Sequence, residues 1–91
     1  MSAKVKIPTI LRSYTAGLSE VETQGTTLRE VLTSLDQQYP GIGGRVLDDS
    51  GQLRRFVNVY IDDDDVRFLT GLDSKVEEGA SVSIIPAVAG G

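Results

Sequence analysis

The chain ends in Ala87-Val88-Ala89-Gly90-Gly91, a run with no charge, no bulky side chain and no turn residue besides its two glycines. Extended, five residues reach about 16–18 Å at most. That is far enough for the run to project from a folded body into a slot on another protein. Gly has no Cβ, so Gly90 and Gly91 can enter a channel too narrow for other residues. A carboxylate on a terminal glycine is sterically open to attack. It is also an anion at neutral pH, since α-carboxyl groups titrate near about 3.3–3.7, and therefore a poor electrophile. Chemistry at Gly91 thus needs activation from outside, most simply as an acyl-adenylate made by a separate ATP-using enzyme. A sulfur nucleophile could convert that adenylate to a thiocarboxylate, a stable yet strongly nucleophilic carrier of sulfur. The sequence contains no Cys, so no internal thiol competes for the activated acyl group. The alternative is a frayed terminus with no role.

Other groupings are weaker. Asp62-Asp63-Asp64-Asp65 invites a calcium loop, but from Asp62 the fifth position is Val66 and the sixth is Arg67, where an oxygen ligand and Gly are needed. An acidic turn, or a docking patch for a basic partner, accounts for it. Gly41-Ile42-Gly43-Gly44 has Val46 where a dinucleotide-binding loop needs its last Gly, and no Gly-Lys-Ser/Thr follows. It reads as a loop after a helix. Arg54-Arg55 read as a solvated strand edge or a contact for an acidic partner or phosphate, and Tyr14, Phe56, Tyr60 and Phe68 as core or sheet-face residues, an exposed subset of which could form an apolar interface.

The absences narrow the function. Without His or Cys there is no Ser-His or Cys-His nucleophile pair and no His-bearing or thiolate zinc site. The net charge is −4 and only Arg54 and Arg55 are adjacent among nine basic residues, which argues against a nucleic-acid partner. An acidic surface instead suits a basic protein, through steering. The start of the chain is no signal peptide and no apolar run approaches the roughly 20 residues of a membrane helix. The expected location is the cytoplasm.

The elements that must position the tail follow from periodicity. Ala3, Val5 and Ile7 alternate with Lys4 and Lys6 as a half-buried strand, with Ile10 and Leu11 continuing inward. Leu18 to Thr23 reads as a second strand. Thr27 followed by Glu30 reads as a helix cap, and Leu28, Val31, Leu32, Leu35 and Tyr39 form one apolar stripe ended by Pro40-Gly41. Ile42 to Leu47 suggests a short helical turn. Phe56 to Ile61 is the clearest strand, with Val57, Val59 and Ile61 on one face. A turn at Asp62 to Asp65, a short strand at Val66 to Leu69, a connection at Asp73 to Gly79 with one helical turn, and a last strand at Ser81 to Pro86 complete the order. One main helix on a mixed sheet of four to five strands is an α+β roll, the order of the β-grasp or ubiquitin-like fold. Its last strand lies centrally beside the first. A single domain over residues 1–91 is expected, with 86–91 as a projecting tail.

Ile7-Pro8-Thr9-Ile10-Leu11-Arg12, Arg55 to Ile61, Asp65-Val66-Arg67-Phe68 and the closing Ile85-Pro86-Ala87-Val88-Ala89-Gly90-Gly91 together make the whole chain resemble the MoaD/ThiS-like sulfur carriers. The form it most resembles is the CysO-type cysteine-biosynthesis carrier, with Ala87 standing where molybdopterin-type carriers more usually have a second Pro. The resemblance implies that an E1-like enzyme adenylates Gly91 with ATP and that a sulfur donor then gives the Gly91 thiocarboxylate. It implies a PLP-dependent cysteine synthase that receives the tail, its sulfur adding to an aminoacrylate derived from O-phosphoserine. An acyl shift then leaves cysteine on Gly91 for a metalloprotease to release. ATP, PLP and zinc belong to those partners, and no cofactor is expected on this chain. Gly90 and Gly91 carry over from the family pattern, with Ala87, Val88 and Ala89 as tail contacts. Carriers of the same chemistry for molybdopterin or thiamin, a modifier conjugated through Gly91, and a binding domain with an idle tail remain alternatives.

Overall fold

The computed structural model describes residues 2–55 and 57–86. In β1 (Ser2–Lys6), Ala3 and Val5 are buried while Lys4 and Lys6 face outward, as strand alternation requires. β1 turns back through a 3-10 segment, Thr9–Thr15, into β2 (Glu20–Gln24). The two strands are antiparallel, with Lys4 opposite Glu22 and Lys6 opposite Glu20, so unlike charges face each other on the outer side. On the inner side Val21 and Thr23 are buried.

The main helix, α1 (Leu28–Gln38), starts where Thr27 Oγ1 accepts from the Glu30 N–H at 3.2 Å. The Glu30 carboxylate reaches past the cap and accepts from the N–H and hydroxyl of Thr26, each at 2.8 Å. The first contact satisfies a donor that a helix start leaves open, and the second ties the preceding residue to the first turn. Leu28, Val31, Leu32 and Leu35 are buried, and Tyr39, the C-cap residue, packs against the core half-buried. Gly25 lies where the chain enters the helix. A Cβ there would stand 2.7 Å from the Val31 nitrogen, so the close approach requires Gly. After Pro40 the chain turns into a short α2 (Gly43–Val46), with Asp36 Oδ1 accepting from the N–H of Gly41 and Gly43 across the corner.

β3 (Val57–Ile61) buries Val57, Val59 and Ile61 and leaves Asn58 and Tyr60 half-exposed. A two-residue β4 (Asp64–Asp65) pairs with its end, and β5 (Ser81–Pro86) closes the sheet with Val82 and Ile84 inward. The strand order is β2-β1-β5-β3-β4. β5 is parallel to β1, with Val5 beside Val82, and antiparallel to β3, with Val59 opposite Ile84 and Val57 opposite Pro86. This is the β-grasp roll, with the last strand central.

Five local readings change. Val66 to Phe68 is a 3-10 turn, not a strand, because the Asp65 carboxylate caps the Arg67 N–H at 2.8 Å and curls the chain there. Val66 fills the core, so Phe68 is pushed out and is 87% exposed rather than a core or sheet-face residue. Ile10 is exposed, because in the 3-10 segment Leu11 and Thr15 take the inward positions. Leu18 belongs to the turn that precedes β2, its N–H bonded to the Thr15 carbonyl. The helical turn placed within Asp73 to Gly79 instead spans Gly71–Asp73, and Leu72 is its buried residue. Phe56 lies outside the described residues.

Candidate functional site

Ala87, Val88, Ala89, Gly90 and Gly91, the residues singled out for chemistry, lie outside the described residues. The body from which they continue is defined. β5 is hydrogen-bonded on both sides, and its last residue, Pro86, stands opposite Val57 at the end of the β3 ladder. Pro has no N–H, so the ladder loses a donor where β5 ends. The position of Pro86, the last described residue, is therefore fixed by the centre of the fold.

A groove of about 440 Å³ adjoins that point. It is lined by Ile10, Leu11, Tyr14, Arg45, Ile84 and Pro86, among others. Leu11 and Ile84 are buried and form an apolar floor, while the exposed Ile10 extends it to the surface. The Nε–H of Arg45 donates to the Tyr14 hydroxyl at 2.8 Å, and the guanidinium carbon lies 5.9 Å from the centre of the Tyr14 ring. The same hydrogen bond raises the Arg45 pKa above its ordinary high value, so the groove carries a permanent cation at its wall.

The neighbouring loop brings further arginines. The Nε–H of Arg54 donates to the Gly44 carbonyl at 2.9 Å, and Arg54, Arg55, Asp48 and Val57 line one adjoining cleft. Arg67 reaches back from beyond β4: its guanidinium contacts the Asn58 side chain and donates to the carbonyls of Arg55 and Val57 at 3.0 and 2.9 Å. It closes backbone acceptors around the start of β3, a structural task. Asp48 accepts from the hydroxyl and N–H of Ser50 and from the N–H of Gln52, and the Ser50 hydroxyl is the chief reason its pKa is lowered.

The structure brings Arg54 to α2 through the Gly44 carbonyl, and places Arg54 and Arg55 with Val57, a residue that also lines the groove. The Arg45 contact carried no sequence signal, because it spans 31 residues and depends on the tertiary fold, and Arg67 stood out only as part of a resemblance, without its contacts nine to thirteen residues away. The Asp run is used by the backbone at two positions. Asp62 Oδ1 accepts from the Ser81 N–H, and Asp65 caps the turn after it. Among the described residues no group of three or more His, Cys, Asp or Glu could hold a metal, and no helix is long and apolar enough to cross a membrane.

Comparison with known proteins places this geometry. Residues 5–91 match the ThiS family. The sulfur carrier protein CysO of Mycobacterium tuberculosis is 50% identical over 93 residues, covering all of both chains. Its crystal structure superposes with a TM-score of 0.90 at 48% identity, covering 94% of this chain and 99% of that one. The Amycolatopsis orientalis carrier in the BexX/CysO complex superposes with a TM-score of 0.92 at 44% identity, covering 98% of this chain and 99% of that one.

Proposed function

The chain belongs to the ThiS family, a sulfur carrier rather than a catalyst, and we propose that Gly91 is the residue that bears the sulfur. In this reading residues 1–91 form one carrier domain, and 86–91 project from it as a tail. An E1-like enzyme adenylates the Gly91 carboxylate with ATP, AMP leaves as a sulfur donor attacks, and the thiocarboxylate results. Gly90 and Gly91 thread the partner's channel, and Ala87, Val88 and Ala89 contact its walls. The acceptor is a PLP-dependent cysteine synthase, and a metalloprotease releases the product. The setting is the cytoplasm, in keeping with a sequence that contains no Cys and so no disulfide.

The observation that carries this reading is the full-length 50% identity to a protein named as a sulfur carrier, and Gly90-Gly91, separated from the central strand by three residues in sequence, are in keeping with it. The relative solved as a BexX/CysO complex supports a partner enzyme as the site of use. The test is intact-mass measurement after co-expression with the adenylating enzyme of the same genome. Replacement of one terminal oxygen by sulfur is expected. Recovery of only the free carboxylate, or of conjugates on lysines of other proteins, would overturn the assignment. For the acceptor, stable co-purification with a PLP enzyme is expected, and capture by the large subunit of a molybdopterin synthase would move the carrier to that pathway.

A further inference from the structure

The net charge of −4 hides an uneven distribution. Asp62, Asp63, Glu77 and Glu78 gather at the end of the sheet where β5 begins: Asp62 receives the Ser81 N–H, and Glu78 accepts from the Ser2 N–H. The opposite end, where β5 stops at Pro86, holds Arg12, Arg45, Arg54, Arg55 and Arg67. These are five of the nine basic residues in the sequence. Of the other four, Arg29 and Lys75 pair with Asp73 and Glu77, and Lys4 and Lys6 stand opposite glutamates on β2.

Three arginines at this end share one arrangement. Arg12 donates through Nε to the Ile7 carbonyl at 3.1 Å, Arg45 through Nε to the Tyr14 hydroxyl, and Arg54 through Nε to the Gly44 carbonyl. Each guanidinium is held by its inner nitrogen. Among the described residues none of the three has an ion-pair partner, and none donates a hydrogen bond from Nη1 or Nη2. Asp48, the neighbouring carboxylate, is engaged by Ser50 and Gln52 and feels the Arg54 charge without forming an ion pair with it. The free outer edge of a guanidinium is a planar two-donor fork that matches a carboxylate. Holding the inner nitrogen lowers the entropy lost when the fork is filled. Beside the forks lies the apolar groove of Ile10, Leu11, Ile84 and Pro86.

We infer that the Arg12–Arg45–Arg54 end is a docking surface for an acidic protein surface, the carboxylate-bearing rim of the channel that receives the tail. This deepens the tail assignment above and rests on it. Unlike charges across the rim would speed encounter and orient the carrier so that its tail meets the channel, while the acidic far end would be repelled. An extended polyanion such as RNA fits less well, because its charge would also run past the acidic parts of the domain.

The test titrates the isotope-labelled chain with an oligoglutamate peptide and, separately, with a single-stranded oligonucleotide of equal charge, followed by backbone amide shifts. Perturbation centred on Tyr14, Arg45, Arg54 and Arg55 by the peptide is expected, weakened by salt and by about tenfold in Arg45→Glu/Arg54→Glu. The Lys75→Glu control is expected to bind as the parent does. Shifts spread equally over Lys4, Lys6 and Lys75, or tighter binding of the oligonucleotide at the same arginines, would overturn the inference. Peptide binding that appears only after removal of residues 87–91 would overturn it too, by assigning the forks to the chain's own carboxylate. Failure of the tail assignment is distinguishable, because it shows as no sulfur on Gly91 in the parent chain whatever the peptide does.

Discussion

Arg45 on α2 and Tyr14 in the 3-10 segment after β1 are 31 residues apart and joined by one 2.8 Å hydrogen bond from Nε–H to the phenolic oxygen. The bond closes one wall of the groove beside Pro86. Tyr14→Phe removes the acceptor and keeps the ring. We expect that variant to fold with an unchanged amide spectrum outside the groove, and its Arg45 Nε–H signal to lose protection from solvent exchange. Persistence of that protection would mean that Arg45 is held by something other than Tyr14.

Leu32 is 1% exposed, on the helix face that packs on the sheet. Leu32→Ala should cost about 2–5 kcal/mol, the range for removing a buried leucine side chain and leaving a cavity. Leu32→Asp should leave the chain unfolded, because it places an uncompensated charge in the same space. Chemical denaturation and circular dichroism read both. A folded aspartate variant would show that the stripe does not face the core.

Thr23 Oγ1 is buried with no hydrogen-bond partner among the described residues. Its neighbours on that face are apolar, and a strand accepts Val as readily as Thr. Thr23→Val should therefore stabilise the domain by about 1 kcal/mol, read as a higher denaturation midpoint at unchanged slope. A lower midpoint would imply that the hydroxyl has a partner, such as an ordered water.

Acid sensitivity should come from the carboxylates that receive hydrogen bonds. Glu30, Asp48 and Glu78 all have lowered pKa values, caused chiefly by the Thr26 N–H, the Ser50 hydroxyl and the Ser2 N–H respectively. A lowered folded-state pKa means the unfolded chain binds protons first, so stability is full above the ordinary carboxylate range and falls as pH drops through the folded values. With no His or Cys in the sequence, little else titrates between pH 5 and 8. Thermal midpoints should be flat near neutrality and decline only on acidification. Glu30→Gln should blunt the acid-side decline, and an identical slope would remove Glu30 from the account.

Much of this was readable from the sequence, for identifiable reasons. Leu28, Val31, Leu32 and Leu35 repeat at helical spacing and are buried, and Val57, Val59 and Ile61 alternate and are buried. Periodicity reports which face meets the core, so both elements were legible, and so was the central place of β5 once the order was known. Residues 66–69 misled because Val-Arg-Phe-Leu has a strand's composition, while the deciding contact is a local one from the Asp65 carboxylate. The groove was not legible at all. Its walls come from four separated parts of the chain, and nothing in Tyr14 or Arg45 alone announces the partner 31 residues away.

The position of β5 between β1 and β3 bears on how the domain responds to traction. A pull applied at Pro86 along the axis of β5 loads the hydrogen bonds to both neighbouring strands in shear and together, instead of peeling them one after another. A carrier gripped by its terminus and drawn through a tight passage would hold its shape under that load. The central strand thus makes Pro86 a point of mechanical anchorage.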